Sequence, residues 1–232
     1  MDNPLVSFIV TTKNEEDYLE KCLKSIRNQT YKNIEVIVVD SFSDDKTVEI
    51  ARKYADKAVV KDCLMPMGRN IGAKYTNGEI LAFVDADIIL QDNWLENALS
   101  ELKDNVVAVT SDLFPDDEGL KNKILYWYLT LSKSLLFMFG IPNVGHSGTA
   151  AIVRKDIFNK ADGYPNDIVA CEDIAFTSRL VKYGKIKFSR KIQGYFSLRF
   201  FKKYGYVRRL TYWGKTFFKF LITGSSDVVY ER

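Results

Sequence analysis

The stretch Ile80-Leu81-Ala82-Phe83-Val84-Asp85-Ala86-Asp87 decides the fold, because an apolar run typical of a strand ends in two aspartates. Residues two apart in a strand point to the same side, so Asp85 and Asp87 are predicted to direct two carboxylates into one place. That place is the carboxyl end of a buried strand, where open α/β sheets bind ligands. Oxygen ligands there suit Mg²⁺ or Mn²⁺, which leaves other coordination positions to substrate phosphates. The structural alternative is that Asp87 or Asp92 is the N-cap of the next helix.

Composition limits the class of protein. The 232 residues fit one large domain, or one domain with a small appendage. A net charge of +3 is too small to predict nucleic-acid binding, so we expect no nucleic-acid partner. The three cysteines are scattered, which argues against a disulfide framework or a zinc site and fits a reducing compartment such as the cytoplasm. Charged residues at positions 2 and 13 to 17 argue against a cleavable signal peptide.

The first half of the chain alternates strand and helix patterns. Leu5 to Thr12, Ile34 to Val39 and Glu79 to Val84 read as strands, mostly unbroken apolar or β-branched runs of the kind buried on both faces. Helical patterns follow Asn14 and Ser43, each predicted as an N-cap, with Asp44 as the alternative to Ser43. Repeated βα units imply right-handed crossovers and a mostly parallel, Rossmann-like sheet with helices on both faces. The other predicted elements are a strand over 58–61, helices over 68–75 and 94–102, and a strand over 106–110.

The alternation stops after Ser111. Residues 112–119 are predicted as an acidic loop, followed by an aromatic helix over 121–139. A short helix is predicted over 156–161, and the loop over 162–169 leads to a helix over 174–183. Extended segments are predicted over 186–189 and 193–198, and residues 200–222 form a basic and aromatic helical stretch. This half therefore reads as a smaller and less regular region than the first.

Two residues at predicted element ends could bind a nucleotide. Asp40 closes the second strand, where carboxylates accept hydrogen bonds from a base or a ribose, or else it is an N-cap for the helix near Asp45. Arg69 and Asn70 follow Gly68 at a predicted helix start, where the helix dipole and a forked donor suit a diphosphate. The alternative for Arg69 is an ordinary surface arginine.

Glu172 and Asp173 begin a helix after a loop, and one of them could be a general base beside an acceptor hydroxyl. Acidic residues in a first helical turn also occur for dipole reasons alone. His146 is the only histidine; a metal or phosphate role competes with that of a packed or solvated side chain. The Gly145-x-x-Gly148-Thr149 segment allows close backbone approach to a sugar. No G-x-x-x-x-G-K, strand-linked G-x-G-x-x-G or G-x-S-x-G motif occurs, which disfavours a P-loop, a dinucleotide cofactor and a covalent hydrolase.

Taken in order, these segments resemble the inverting family 2 glycosyltransferases of GT-A fold. The resemblance runs from Val6 to about Trp213 and rests on the order and spacing of its motifs. The motifs are Val10-Thr11-Thr12-Lys13-Asn14-Glu15, Val38 to Thr47, Gly68-Arg69-Asn70-Ile71-Gly72, Phe83-Val84-Asp85-Ala86-Asp87, Gly148-Thr149-Ala150, Glu172-Asp173 and Ser197-Leu198-Arg199. It implies a nucleotide-sugar-binding half over 1–111, an acceptor-binding and catalytic half of the same domain over 112–198, and a C-terminal amphipathic helical segment over 199–232.

The resemblance also implies roles for individual residues. Asp173 would be the catalytic base, supported by Glu172. The donor, a UDP-sugar more readily than a GDP-sugar, would be bound through Mn²⁺ or Mg²⁺ at Asp87, with Asp85 at the nucleotide and the metal. The nucleotide pocket would include Thr12 and Glu15, with Asp40 at the base and Arg69 near the diphosphate or ribose. The acceptor and sugar pocket would include Gly148, Thr149, His146 and Arg199. One departure is that the stretch from 193 to 199 lacks the histidine that completes the metal site in many relatives.

Basic and aromatic residues alternate over 200–219, as in a helix that lies in the interface of an anionic membrane. The stretch over 124–141 is similar, and both could instead be core-packing helices. If they lie at a membrane, we expect a peripheral protein on its cytoplasmic face and a lipid-linked acceptor; otherwise the acceptor is a glycan such as a polysaccharide. Two other functions stay open: a non-catalytic nucleotide-sugar-binding protein, and a sugar-phosphate nucleotidyltransferase.

Overall fold

The computed structural model describes residues 3–138, 149–168 and 171–223. The first half of the chain contains β1 (Val6–Thr12), α1 (Leu19–Arg27), β2 (Ile34–Asp40), α2 (Thr47–Tyr54), β3 (Lys57–Val60), α3 (Met65–Lys74), β4 (Ile80–Asp85), β5 (Ile88–Leu90) and α4 (Trp94–Glu101). The second half contains β6 (Val106–Pro115), α5 (Leu120–Met138), β7 (Ala150–Arg154), α6 (Lys155–Lys160), α7 (Glu172–Leu180), β8 (Lys185–Phe196), α8 (Arg199–Tyr204) and α9 (Tyr206–Thr223).

All the strands belong to one sheet in the order β3-β2-β1-β4-β7-β6-β8-β5. The strands from β3 to β4 are parallel, as the alternating sequence pattern predicted. Further along, β7 is antiparallel to both of its neighbours, β8 is parallel to β6, and β5 is antiparallel to β8. In the parallel part Thr12 lies opposite Asp40 and Thr11 opposite Asp85, so the ends of three strands meet at one edge. The prediction of a mixed α/β fold with a Rossmann-like sheet is confirmed.

Helices cover both faces of the sheet, because successive strand residues point to opposite sides. Phe8 belongs to the core beneath α1, α4 and α5, where Trp94 is fully buried and donates its indole N–H to Ser111 Oγ at 2.7 Å. Ile9 belongs to the opposite core beneath α3, α6 and α7. A Cβ at Gly72 of α3 would lie only 2.5 Å from Ile9 Cγ2, so glycine is needed for this close helix–strand contact.

Several predicted helix starts are wrong. Asn14 does not cap α1, which begins at Leu19; its backbone has φ 54°, and its side-chain oxygen accepts from the Asp44 N–H at 2.9 Å. Neither Ser43 nor Asp44 caps α2, since Lys46 occupies that position without a side-chain hydrogen bond. The helix α3 begins at Met65 rather than Gly68, because a proline is accommodated in a first helical turn. Arg69 therefore lies in the second turn and not at the helix start.

The strand prediction was incomplete in the second half. β6 continues through residues that were predicted as an acidic loop, because β8 pairs with it as far as Pro115. Asp112 in this extension is buried and accepts a hydrogen bond from the Tyr126 hydroxyl at 2.9 Å. The predicted division between residues 111 and 112 falls inside β6, so both halves contribute strands to one sheet.

The C-terminal segment forms two helices instead of one stretch. Gly205, with φ 83°, separates α8 from α9. Tyr206, Leu210 and Trp213 of α9 pack against the core beneath α5. Among the described residues, no helix combines the length and the apolar composition that crossing a membrane requires.

Candidate active site

The ends of β1, β2 and β4 border a cavity of about 1090 Å³ that extends between α5 and α9. Parallel sheets bind ligands at this edge, so the fold itself places polar strand-end residues in the cavity. Nine residues predicted from sequence line it: Thr12, Glu15, Arg69, Asp85, Asp87, Thr149, Glu172, Asp173 and Arg199. His146 and Gly148, predicted for the acceptor or sugar pocket, lie outside the described residues.

Arg69 is the centre of a buried ion cluster and is only 2% exposed. One guanidinium nitrogen donates to Asp85 Oδ1 at 2.9 Å, and the other lies 3.1 Å from Asp173 Oδ1 and 3.4 Å from Glu172 Oε1. The ring of Tyr164 lies 4.9 Å from the guanidinium carbon. Burial by itself would lower the pKa of Arg69, but the neighbouring carboxylates raise it well above its ordinary value. Arg69 is therefore the counter-ion of the three carboxylates.

The two acidic residues of α7 differ from first-turn carboxylates that only interact with the helix dipole. They follow Cys171, which has φ 64°, and both side chains are buried. Asp173 also accepts a hydrogen bond of 3.3 Å from the Thr149 hydroxyl. Burial, followed by the charge of Asp173, raises the pKa of Glu172; burial likewise raises the pKa of Asp173, although Arg69 opposes this. A carboxylate with a raised pKa is suited to accepting a proton near neutral pH.

Asp85 and Asp87 reach the same cavity but not in the way that strand alternation predicted. β4 ends at Asp85, and Asp87 lies in the turn before β5. Neither Asp87 nor Asp92 is the N-cap of the next helix, because Asn93 occupies that position before α4. Both oxygens of Asp85 accept hydrogen bonds, one from Arg69 and one from the Thr149 N–H at 2.8 Å. Asp85 thus belongs to the cluster around Arg69, whereas Asp87 faces a different set of side chains.

Asp87 is part of a second ion cluster, with Glu15 and Arg199. The Arg199 guanidinium binds both oxygens of Glu15, with Nη2 at 2.6 Å from Oε1, and its Nε lies 3.2 Å from Asp87 Oδ2. Burial raises the pKa of Asp87 to about 7, although Arg199 opposes the shift. The arginine thus supplies positive charge at the carboxylate that the sequence assigns to a metal.

Asp40 was predicted at the nucleotide base but does not line the cavity. Its carboxylate is buried and accepts from the Thr12 hydroxyl at 2.9 Å and from the Ser43 N–H at 2.8 Å. It stabilises the turn after β2 rather than the start of α2. A contact between Asp40 and a base stays a prediction.

A divalent cation fits this site only with help from a substrate. The described part of the chain contains no cluster of three or more His, Cys, Asp or Glu residues that could hold a metal. Mg²⁺ and Mn²⁺ do not require such a cluster, since one or two carboxylates together with substrate phosphates are sufficient. Asp87 is the more available of the two carboxylates, because both oxygens of Asp85 accept hydrogen bonds, whereas Asp87 is ion-paired with Arg199 through Oδ2. The residues present therefore fit a cation that is held jointly by Asp87 and a diphosphate.

Two buried residues that act on the site, Tyr164 and Lys133, were not predicted as functional from the sequence. Tyr164, which packs against Arg69, falls in a stretch read only as a loop of Gly, Pro and Asp. Lys133 of α5 is buried and donates to the Ser111 carbonyl at 2.9 Å and to Thr110 Oγ1 at 3.2 Å. Burial lowers the pKa of Lys133 to about 8, opposed by the charges of Asp112 and Asp173. The sequence feature that could have indicated a role for Lys133 was a lysine on the inner face of an otherwise aromatic helix.

The sequence is similar to those of known glycosyltransferases. The glycosyltransferase AglE of Haloferax volcanii is 27% identical over 195 residues, which cover 78% of this chain and 62% of AglE. A glycosyltransferase of Haemophilus influenzae is 33% identical over 185 residues, covering 76% of this chain and 71% of that protein. This chain therefore spans about three fifths of the length of AglE.

Two solved structures share the fold. The mannosyltransferase PcManGT from Pyrobaculum calidifontis, in complex with GDP-Man and Mn²⁺, has a TM-score of 0.66 at 22% identity, covering 83% of this chain and 56% of that one. Residues 1–349 of TarS from Staphylococcus aureus, in complex with UDP-GlcNAc, have a TM-score of 0.64 at 21% identity, covering 83% of this chain and 58% of that one. Residues 7–161 match the family model described as glycosyl transferase family 2. The chain belongs to glycosyl transferase family 2.

Proposed function

We propose that this protein transfers a sugar from a nucleoside diphosphate donor to an acceptor hydroxyl, with inversion at the anomeric carbon and Asp173 as the base. One observation carries the proposal: two ion clusters, around Arg69 and around Arg199, lie in one cavity at the carboxyl edge of the sheet. The first cluster contains buried carboxylates that can accept a proton. The second contains Asp87, which can hold a cation together with a diphosphate.

The donor end of the cavity is the side lined by Thr12, Glu15 and Asp87. Two structures with the same fold bind UDP-GlcNAc and GDP-Man, which supports a nucleotide-sugar donor here. We retain UDP as the preferred carrier over GDP, with Asp40 behind Thr12 as the predicted contact to the base. Their mutual hydrogen bond of 2.9 Å would orient both groups before the donor binds.

In the transfer step, the acceptor oxygen forms a bond to the anomeric carbon while the bond from that carbon to the diphosphate oxygen breaks. Asp173 accepts the proton of the acceptor hydroxyl, and the electron pair of the broken bond leaves on the nucleotide. A single displacement from the opposite face inverts the configuration. Arg69 is a positioning residue in this step, because it holds Asp173, Glu172 and Asp85 through its two terminal nitrogens.

Negative charge grows on the leaving diphosphate and has to be balanced. When bound, Mn²⁺ or Mg²⁺ at Asp87 would supply Lewis-acid stabilisation of that charge. The guanidinium of Arg199 adds a fixed positive charge beside Asp87. The guanidinium supplies charge only and does not replace the histidine ligand that the stretch from 193 to 199 lacks.

An Asp173→Asn variant tests the assignment. We expect release of UDP from a UDP-sugar in the presence of Mn²⁺ and acceptor to fall at least ~100-fold, because general bases contribute roughly 10²–10⁴-fold. Calorimetric affinity for UDP should stay within about threefold of the wild type. Asp156→Asn, which removes an exposed carboxylate of α6, is the matched control and should change neither value.

Three other outcomes would contradict the proposal. Equal loss of transfer and UDP binding in Asp173→Asn would mean that Asp173 has a structural role. UDP binding without any release of free nucleotide by the wild type would favour the non-catalytic alternative. Production of pyrophosphate from a sugar phosphate and a nucleoside triphosphate would identify a nucleotidyltransferase.

A further inference from the structure

We propose that the acceptor is an anionic amphiphile whose phosphate pairs with Arg209 and whose apolar chain lies between α5 and α9. This inference rests on the proposed function and names the substrate class of the same cavity. It further places the mouth of the cavity at a membrane surface that carries this lipid.

The cavity has an apolar end that a nucleotide sugar does not require. Its walls there come from Leu129, Leu135 and Leu136 of α5 and from Leu210, Trp213 and Phe217 of α9. The volume of about 1090 Å³ exceeds the roughly 300–1000 Å³ of a usual small-molecule pocket. A donor at the strand ends therefore leaves a second, apolar compartment for another ligand.

Arg209 marks the border of this compartment. It lines the cavity, and its guanidinium lies 5.0, 5.5 and 5.3 Å from the ring centres of Phe200, Tyr212 and Trp213. Its Nε is buried and has no hydrogen-bond partner, and no carboxylate of the described chain lies within ion-pair distance of it. Arg209 is half-buried, so its guanidinium is partly desolvated and has no anionic partner in the described chain. A phosphate with its several oxygens is the group that fits its forked donors.

The neighbouring arginines differ from Arg209 because they are ion-paired with carboxylates, although the Nε of Arg199 is also buried without a hydrogen bond. Arg69 and Arg199 each have at least two carboxylate partners, so they are neutralised within the protein. Arg199 lies 4.7 Å from the ring centre of Phe200, the same ring that Arg209 contacts. Arg209 thus lies one aromatic ring beyond the donor end, where the cavity becomes apolar. That position suits the phosphate of a lipid-carried acceptor.

The outer surface offers a route for such a lipid. Leu120, Ile124, Trp127, Leu131 and Met138 form an exposed apolar stripe on α5 at helical spacing. Tyr128 and Leu135, which are also exposed, belong to the cavity wall, so the stripe is continuous with the apolar compartment.

Basic side chains complement an anionic surface on the neighbouring helices. The exposed lysines there are Lys202, Lys203 and Lys215. An apolar stripe beside lysines matches the chemistry of an anionic membrane interface. A water-soluble glycan would explain neither the apolar walls nor the stripe.

Calorimetric titration with farnesyl phosphate, below its micelle concentration, tests this proposal. We expect micromolar binding to the wild type, with inorganic phosphate and farnesol each binding at least tenfold more weakly. Arg209→Ala should weaken binding of farnesyl phosphate at least tenfold, while Arg208→Ala, which alters an adjacent arginine outside the cavity wall, should have no effect. Phe217→Asp should weaken the binding of both farnesyl phosphate and farnesol. Arg209→Gln replaces the alanine variant if that variant does not fold by circular dichroism.

The proposal is overturned if farnesyl phosphate does not bind, or if both arginine variants bind it equally. Equal affinity for inorganic phosphate and farnesyl phosphate would reveal an anion site without a lipid compartment. A matching loss of UDP affinity in Arg209→Ala would assign the arginine to the donor diphosphate. Since UDP binding to the wild type is measured in the same series, failure here with UDP binding intact leaves the proposed function standing.

Discussion

Replacing Arg69 by methionine tests whether this arginine is the counter-ion of the carboxylate cluster. Methionine keeps a stem of comparable length and removes the guanidinium, leaving Asp85, Glu172 and Asp173 without their shared positive charge. Breaking a buried ion pair on one side typically costs ~3–5 kcal/mol. Because the side chain of Asp85 is 22% exposed, and because buried carboxylates can take up protons, we expect a loss near ~3 kcal/mol at pH 8.

The loss should depend on pH, with a sign that the pKa shifts determine. Burial already raises the pKa values of Glu172 and Asp173 above those of the unfolded chain, and Arg69 opposes both shifts. Without Arg69, the folded-state pKa values rise further. A carboxyl group with a raised folded-state pKa destabilises the fold above that pKa, and this penalty disappears as protons bind at lower pH. The gap between wild type and variant should therefore narrow from pH 8 to pH 5.

Urea unfolding followed by circular dichroism at pH 8 and pH 5 measures both effects. Arg27→Met is the control, because it breaks the more exposed Arg27–Asp56 pair and one hydrogen bond to the Tyr54 carbonyl. It should cost about 1 kcal/mol. A loss below about 1 kcal/mol in Arg69→Met, or the same loss at both pH values, would refute the counter-ion role of Arg69.

Three further predictions concern other parts of the molecule. Because burial raises the pKa of Asp173, the rate of nucleotide release should begin to fall, as the pH is lowered, at a pH above the ordinary carboxyl range. A rate that falls only near pH 4 would contradict this. The pKa of Lys133, lowered to about 8, means that its buried charge destabilises the fold below pH 8 and that this penalty is lost towards pH 10. After the loss of two hydrogen bonds, Lys133→Met should be more stable than the wild type by about 1 kcal/mol at pH 7 and should show no gain at pH 9.5. A less stable variant in urea at pH 7 would show that the lysine is net stabilising. Finally, Trp127→Asp with Leu131→Asp should abolish co-sedimentation with phosphatidylglycerol vesicles at low salt. Val181→Asp, at an exposed apolar position just after α7, should not. A wild type that fails to sediment would contradict membrane contact.

The strands of the parallel half were predictable because each is an apolar run long enough to be buried on both faces. Ile34–Asp40 differs from the predicted range by one residue at one end, and Ile80–Asp85 by one residue at each end. The continuation of β6 was not predictable, because Asp112 resembles a loop residue until Tyr126 and β8 are brought beside it. The predicted helix starts were wrong where a residue with a capping side chain hydrogen-bonds to another loop instead of to its own helix. Asn14 is an example, because its side chain accepts from the backbone N–H of Asp44.

Many of the residues that line the site could be predicted from the ends of strands, but the ion pairs between them could not. Arg69 meets Asp173 across 104 positions of sequence, and Arg199 meets Glu15 across 184. The alternation of side chains along a strand predicted that Asp85 and Asp87 share a metal site. In the structure a turn follows Asp85, so Asp85 pairs with Arg69 and Asp87 pairs with Arg199. Only the folded chain shows that each cluster contains its own arginine.

Calorimetric titration of the wild type with UDP, first with Mn²⁺ and then with EDTA, measures whether a nucleoside diphosphate and Asp87 jointly hold a cation at the edge of the sheet. We expect UDP to bind with Mn²⁺ and to bind at least tenfold more weakly with EDTA. Failure of UDP, GDP, CDP and ADP to bind under both conditions would contradict it.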